Sequence, residues 1–73
     1  MTDSIHTKES IISLPDVRKR TGLSRSEIYR RESIGQFPKR ISIGVRSVGW
    51  VESEITVFVK ERIQQSRKEG GKA

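Results

Sequence analysis

The chain has 73 residues, no cysteine, and 15 Lys and Arg residues against 9 Asp and Glu residues, which gives a net charge of +6. A chain of this length forms one small domain, so its core is small and a catalytic cleft is hard to accommodate. The absence of cysteine excludes disulfides and thiolate metal sites, and the basic excess favours a polyanion as the partner.

Residues 1–10 are polar and aperiodic, which predicts a flexible N-terminal arm. Neither a signal-peptide pattern nor an apolar run of membrane-spanning length occurs, and we therefore expect a cytoplasmic protein that does not bind membranes. Ile11 and Ile12 follow as a short extended segment. They open the one predicted domain, residues 11–67, and residues 68–73 are predicted to be a disordered tail.

The first helix is predicted to begin near Ser13, because Pro15 and Asp16 suit the first turn of a helix. Gly22 ends this helix, since glycine adopts without strain the left-handed conformation that closes a helix. The basic run at residues 18–20 points away from the core, and its side chains are either solvated or in contact with phosphate. The inward residues of the helix are Leu14 and Val17.

The second helix follows a short turn and is capped by Ser24. Ser24 and Glu27 have the spacing of a capping box, in which each side chain accepts the backbone N–H of the other residue. With Ile28 pointing inward, the outer side carries no carboxylate, and the helix stops before Gly35. A donor-rich helix held across a glycine turn is typical of a reader of the DNA major groove. The outer residues are Ser26, Arg30 and Ser33, with Tyr29 at the flank.

From Lys39 the apolar period changes to two, which predicts a two-stranded hairpin with residues 44–46 at its turn. Arg46 is placed at or beside the tip, and Lys39 and Arg40 are placed on the outside. A small hairpin after a recognition helix is arranged like a wing that reaches the DNA backbone or the minor groove. The alternative is a hairpin that only covers the core. The predicted buried face consists of Ile41, Ile43, Val48 and Trp50.

The third helix is predicted to run from the acidic residues at 52–54 to Arg67 and Lys68, because these charges suit the two ends of the helix dipole. Val57 faces away from the apolar stripe of this helix. The spacing of the stripe predicts that it packs in the core. Its members are Ile55, Phe58, Val59 and Ile63.

Several short motifs follow one another in a characteristic order: Leu14-Pro15-Asp16-Val17, Thr21-Gly22-Leu23-Ser24-Arg25-Ser26, Ile28-Tyr29-Arg30, Gly35, Phe37-Pro38, Arg46-Ser47-Val48-Gly49-Trp50 and Glu52-Ser53-Glu54-Ile55. Over residues 12–66, this order and spacing resemble those of the AlpA-type phage regulatory proteins. The resemblance implies a mostly α, winged helix-turn-helix fold of the MerR and excisionase kind, with three helices and a two-stranded wing. Members of the family bind DNA in prophages and genomic islands, where they activate an integrase gene or promote excision as recombination directionality factors.

The resemblance also implies which residues of the recognition helix contact DNA. We expect Arg30 and Arg25 to contact base edges, because arginine can bond the O6 and N7 atoms of guanine in a bidentate manner. Tyr29 is expected to contact phosphate, a base or Phe37. The full set on the helix is Ser24, Arg25, Ser26, Tyr29 and Arg30.

On the wing, the resemblance implies a DNA contact by Arg46, and the hairpin pattern adds Lys39 and Arg40. We expect these three side chains to neutralise phosphates, with Arg46 close to a narrow minor groove. The second helix departs from the family pattern at Glu32, where similar proteins tend to carry an apolar residue. We therefore expect the helix to unwind or shift before its end and to bring Ile34 inward.

The sequence thus predicts a sequence-specific DNA-binding protein of a prophage or genomic island, acting as an excisionase, as a regulator of an integrase gene, or as both. Its expected partners are double-stranded DNA, an integrase, and further copies of itself bound cooperatively on DNA. The alternatives are a regulator of a single promoter, an RNA-binding module, and a protein adaptor that uses Val57. An enzyme is not expected, because the only histidine, His6, has no acid–base partner, and no metal or cofactor motif occurs.

Overall fold

Three helices and three short strands make up the part of the chain that the computed structural model describes, residues 9–70, with side chains described for residues 9–68. In chain order the elements are β1 (Ile11–Ile12), α1 (Leu14–Thr21), α2 (Arg25–Ser33), β2 (Ile41–Ser42), β3 (Val48–Val51) and α3 (Glu52–Gly70). The predicted class, three helices with a small antiparallel hairpin in a winged helix-like fold, is confirmed. Most of the predicted arm, with His6, and the last three residues of the predicted tail lie outside the described residues.

The strands form one antiparallel sheet in the order β1-β3-β2. Ile11 pairs with Val51 on one side of β3, and Ile41 pairs with Gly49 on the other. The extended segment predicted at the start of the domain is therefore a third strand, and β3 is the central one. The hairpin consists of β2, β3 and the loop that joins them.

The core lies where α1, α2 and α3 meet the inner face of the sheet. Trp50 on β3 is completely buried, and its indole N–H donates to the carbonyl oxygen of Pro38 at 3.1 Å. The ring of Phe37 packs edge-on against the ring of Phe58, with 4.7 Å between the centroids. Three of the predicted inward helix residues, Val17, Ile28 and Ile55, are buried in this core. Its buried apolar members are Val17, Ile28, Phe37, Trp50 and Ile55.

Glycine in the left-handed conformation ends both short helices. Gly22 closes α1 with φ of 75°, and its N–H donates to the carbonyl oxygen of Arg18. Gly35 follows α2 with φ of 76°. The backbone N–H of Gly35 donates to the carbonyl oxygen of Glu32, and the backbone N–H of Gln36 donates to the carbonyl oxygen of Arg31. These are the paired hydrogen bonds of a Schellman motif. These glycines therefore fix where the chain turns before and after α2.

The apolar face of the hairpin is where the sequence-based prediction was wrong. Ile41, Ile43 and Val48 are exposed, whereas Trp50 is buried. Ile41 pairs with Gly49, and neighbouring residues on a strand point to opposite faces, so Ile41 and Trp50 lie on opposite faces of the sheet. The loop between the strands sets this pairing of residues, which cannot be predicted from the apolar alternation within each strand.

The third helix is longer and less packed than predicted. It continues to Gly70, and every residue from 60 to 68 is exposed. Ile55 is buried as expected, but Ile63 is 44% exposed, so its assignment to the core was wrong. The physical reason is length, because the second half of α3 extends beyond the elements that cover its first half. No helix within residues 9–70 combines the length and the apolar composition needed to cross a membrane.

Candidate nucleic-acid interface

The turn between α1 and α2 holds the start of α2 in place. The Ser24 hydroxyl accepts the backbone N–H of Glu27 at 3.2 Å, which is one half of the predicted capping box. Thr21 supports the same turn, since its hydroxyl donates to the carbonyl of Val17 at 2.8 Å and accepts the N–H of Leu23 at 3.2 Å. The three-residue connection is thus hydrogen-bonded on both sides, and α2 begins at a defined angle to α1.

The carboxylate of Glu27 pairs with arginines instead of completing the capping box. One of its oxygens lies 2.6 Å from Nη2 of Arg30 and 2.7 Å from Nε of Arg31. Hydrogen bonds from Arg30, and then from Arg31, lower the pKa of Glu27 from 4.5 to about 2, and the same pairing raises the pKa of Arg30. The sequence predicted that the outer side of α2 carries no carboxylate, but the Glu27 carboxylate reaches the arginines on that side. Arg30 remains largely exposed in a fixed orientation.

Tyr29 lies between α2 and the hairpin. The guanidinium carbon of Arg25 is 5.6 Å from the centre of the Tyr29 ring, and that of Arg40 is 4.9 Å from it, both within cation–π range. The ring centroid of Tyr29 is also 6.4 Å from that of Trp50, with 34° between the planes. Sequence reasoning proposed Phe37, phosphate or a base for Tyr29 and missed Trp50, which the register of β3 brings to it.

The end of α2 also differs from the prediction. Glu32 remains on the inward side and is buried, with 9% of its surface exposed, whereas Ile34 is 52% exposed. The helix is regular to Ser33 and does not unwind to bring Ile34 inward. Both carboxylate oxygens of Glu32 are used by Arg40: one accepts its backbone N–H at 2.6 Å, and the other pairs with its guanidinium.

Of the eight predicted contact residues, Ser24 caps α2, and the other seven fall into two groups. Arg25, Tyr29 and Arg40 come together around one ring, and Arg30 is held by Glu27 one turn away. The other group stands apart and is exposed. Within the described residues, no carboxylate pairs with any basic member of this second group. It consists of Ser26 on α2, Lys39 before β2 and Arg46 in the bend of the hairpin.

Two residues outside the predicted contact set have tertiary partners that the sequence alone did not predict. Arg20, in the basic run of α1, donates to the Thr56 hydroxyl at 2.8 Å and lies 3.5 Å from Glu52, so it ties α1 to α3. Val57 is 53% exposed, and it lines an open groove together with Ile41 on β2. The long-range partners of both residues depend on the packing of α3.

A family model described as "Prophage CP4-57 regulatory protein (AlpA)" matches residues 10–63, which include the whole of the candidate interface. The chain belongs to the AlpA family. A relative of this AlpA-family protein, from Enterobacteria phage P4 and named "Uncharacterized protein ORF88", is 41% identical over 64 residues, covering 88% of this chain and 72% of the relative. The "DNA-binding transcriptional activator AlpA" of Escherichia coli strain K12 is 38% identical over 58 residues, covering 71% of this chain and 83% of that protein. No solved structure matches the chain significantly.

Membership of the AlpA family confirms the resemblance that the motifs indicate. The match begins before β1 and ends within α3, so it covers all the strands and the helix-turn-helix. Each residue predicted to contact DNA lies within it.

Proposed function

We propose that this AlpA-family protein is a sequence-specific DNA-binding regulator of a prophage or genomic island, and that it controls an integrase gene, promotes excision, or does both. The observation that carries the proposal is α2, a short helix fixed by hydrogen-bonded turns at both ends that presents a polar, basic side next to the hairpin. The name of the Escherichia coli relative, a DNA-binding transcriptional activator, supports the same function.

In this proposal α2 enters the major groove. Arg30 and Arg25 bond base edges, each good bidentate pair with guanine contributing about 1–3 kcal/mol of discrimination. Glu27 fixes Arg30 in one orientation, so fewer side-chain conformations are lost when it meets a base. Ser24 and Ser26 sit at the start of the helix, where hydroxyls and backbone N–H groups meet phosphate oxygens.

The hairpin contacts the DNA backbone beside the groove. Arg46 in the bend and Lys39 before β2 are exposed, so their charges are available to phosphates. In this proposal Arg46 enters a narrow minor groove, where the negative potential is enhanced. Arg40, already paired with Glu32, contributes less to phosphate binding than the sequence predicts.

Several copies act together in this proposal. A single module of this size buries about 600–1,000 Å² of its surface on DNA, which limits the affinity of one copy. Cooperative binding of neighbouring copies, or contact with an integrase, supplies the additional affinity. Copies bound side by side bend the DNA, and a bent attachment site favours one recombination product over the other.

The test is binding of the purified protein to duplexes from the ends of its host element, to duplexes from the neighbouring promoters, and to random duplex, each over a range of salt. Preferred binding in several steps that bends an element end is the expected result for an excision factor. One preferred promoter site without bending would instead identify a regulator of a single promoter. Equal binding to all duplexes, or tighter binding to RNA, would contradict the proposal.

A further inference from the structure

Glu32 is the one charged residue among the buried side chains of residues 9–68. It lies in the last turn of α2, and its partner Arg40 comes just before β2, eight residues later. Between them the chain passes through the Schellman turn and the buried Phe37. The contact therefore joins the end of the recognition helix to the start of the hairpin.

The rest of the link between α2 and the hairpin is apolar or aromatic. Ile28 packs in the common core with Trp50, and the Tyr29 ring lies near the Trp50 ring. Among the described residues, these contacts include no hydrogen bond between α2 and the hairpin, so they act through shape and buried area alone. The hydrogen bond from the backbone N–H of Arg40 to Glu32 does depend on direction, and at 2.6 Å it fixes one point of the hairpin backbone against α2.

Only Glu32 of this ion pair is buried, since the Arg40 side chain is 44% exposed. The pair is still a weak source of stability, because removal of the Glu32 charge from water offsets much of its attraction to Arg40. An apolar side chain of similar size at this position would stabilise the core at least as well. The best-attested use of such a pair is to select one arrangement over alternatives of similar packing. Here the arrangement it selects is the position of the hairpin relative to α2.

We infer that Glu32 and Arg40 are positioning residues, which set the hairpin at the angle needed for α2 and the hairpin to contact the same stretch of DNA. The inference rests on the proposed function for its biological meaning. Arg40 acts through Glu32 and Tyr29, because its guanidinium pairs with the one and lies over the ring of the other. Its contribution to recognition is thus geometric, whereas Lys39 and Arg46 contribute charge.

Two substitutions separate position from charge. Glu32→Leu fills the same space without the directed bonds, and Arg40→Lys keeps the positive charge but loses the planar guanidinium that pairs and stacks. Lys39→Gln is the matched control, because it removes a neighbouring exposed charge and leaves Glu32 and Arg40 intact. For each variant we would measure thermal unfolding, affinity for preferred and random duplexes, and the orientation of the hairpin relative to α2 from residual dipolar couplings.

Both test variants are expected to unfold cooperatively and to lose about tenfold of the preference for the preferred over the random duplex. Their dipolar couplings are expected to show a displaced or averaged hairpin orientation. Lys39→Gln should weaken binding to both duplexes equally and leave the orientation unchanged. If Glu32→Leu fails to fold, Glu32→Met serves instead, because its flexible unbranched side chain fills the same space and lacks the carboxylate that accepts the Arg40 N–H.

Wild-type couplings and an unchanged duplex preference in Arg40→Lys and the Glu32 variant would overturn the inference. It would also be overturned if all affinities fell only in proportion to the unfolded fraction, because the pair would then act on stability alone. If the wild type shows no duplex preference, the proposed function fails, whereas the dipolar couplings still decide whether the pair sets the hairpin orientation.

Discussion

At the scale of single residues, Glu27 determines how α2 presents its arginines. The sequence placed Arg30 on the outer side of the helix, and the structure keeps it exposed. The pairing of Glu27 with Arg30 and Arg31 was not predicted, because the capping box gave the same carboxylate a different acceptor role. Spacings of three and four residues permit both arrangements, and the choice depends on side-chain conformations that the helical period does not specify.

Arg30→Ala is expected to lower the affinity for a preferred duplex by about 1–3 kcal/mol and to relax the sequence preference at one position, because a base contact is lost. Arg46→Ala is the matched comparison on the hairpin. It should weaken binding to all duplexes evenly and make the dependence of affinity on salt less steep, since a phosphate contact is lost. Titrations of both variants with preferred and random duplexes check this. Unchanged curves for both would show that neither residue contacts DNA.

Acid should weaken the folded state through Glu27. Its pKa is lowered by Arg30 and Arg31 from 4.5 to about 2, so the carboxylate is charged in the folded state where the unfolded chain takes up a proton. The resulting stabilisation is fully present above pH 4.5 and is lost as the pH falls through about 2. Urea unfolding at a series of pH values should show a decline across this range that is smaller in Glu27→Gln. High salt should reduce the difference, and identical profiles for the two proteins would contradict the assignment.

At the scale of elements, the ends of the two short helices and the presence of a hairpin were predictable. The pairing of the strands and the faces of the sheet were not. The beginnings and ends of α1 and α2 follow from Ser24, Gly22 and Gly35, because caps and left-handed glycines act within a few residues. The sheet depends on a strand pairing between Ile11 and Val51, forty residues apart. Period-two alternation predicted strands correctly but assigned Ile41 to the wrong face, since the loop decides the register.

Gly49 shows how closely the outer strands approach the central one. A Cβ atom at this position would lie 2.5 Å from Cγ2 of Ile11 and 3.0 Å from the backbone oxygen of Ile12. Gly49→Ala is therefore expected to destabilise the protein by about 1–3 kcal/mol, as insertion of a methyl group into a packed site does. Gly44→Ala is the control, because its nearest neighbour, Cβ of Ser47, is 4.0 Å away. Equal melting temperatures for the two variants would show that β1 can move away from the added methyl group without loss of stability.

At the scale of the whole molecule, the core occupies one end of α3 and leaves the other uncovered. The sequence predicts one small basic domain. The length of α3 beyond the core could not be predicted, because Ile63 continues the apolar stripe into a region with no packing partner. A periodic pattern indicates a helix face but not whether another element covers it.

A chain that stops after Gln65 should therefore keep its cooperative unfolding. The residues it loses are exposed where the structure describes their side chains, so the change should be within about 0.5 kcal/mol, or about 2–4 °C in melting temperature. A chain that stops after Val57 is the comparison, because it also loses Phe58 and Val59, which pack against the core. It should not unfold cooperatively, and calorimetry distinguishes the two. A large loss of stability in the longer chain would show that the exposed turns are not independent of the core.

The central position of β3 also determines when the protein can fold during its synthesis. Both outer strands, β1 and β2, leave the ribosome before β3, and neither pairs with the other. The sheet therefore cannot form until residue 51 has emerged. Trp50 and Ile55 are buried core residues, so the core cannot close until they have emerged as well. A nascent chain that stops before β3 lacks both the central strand of the sheet and Trp50, so α1, α2 and β1 emerge before the parts they pack against.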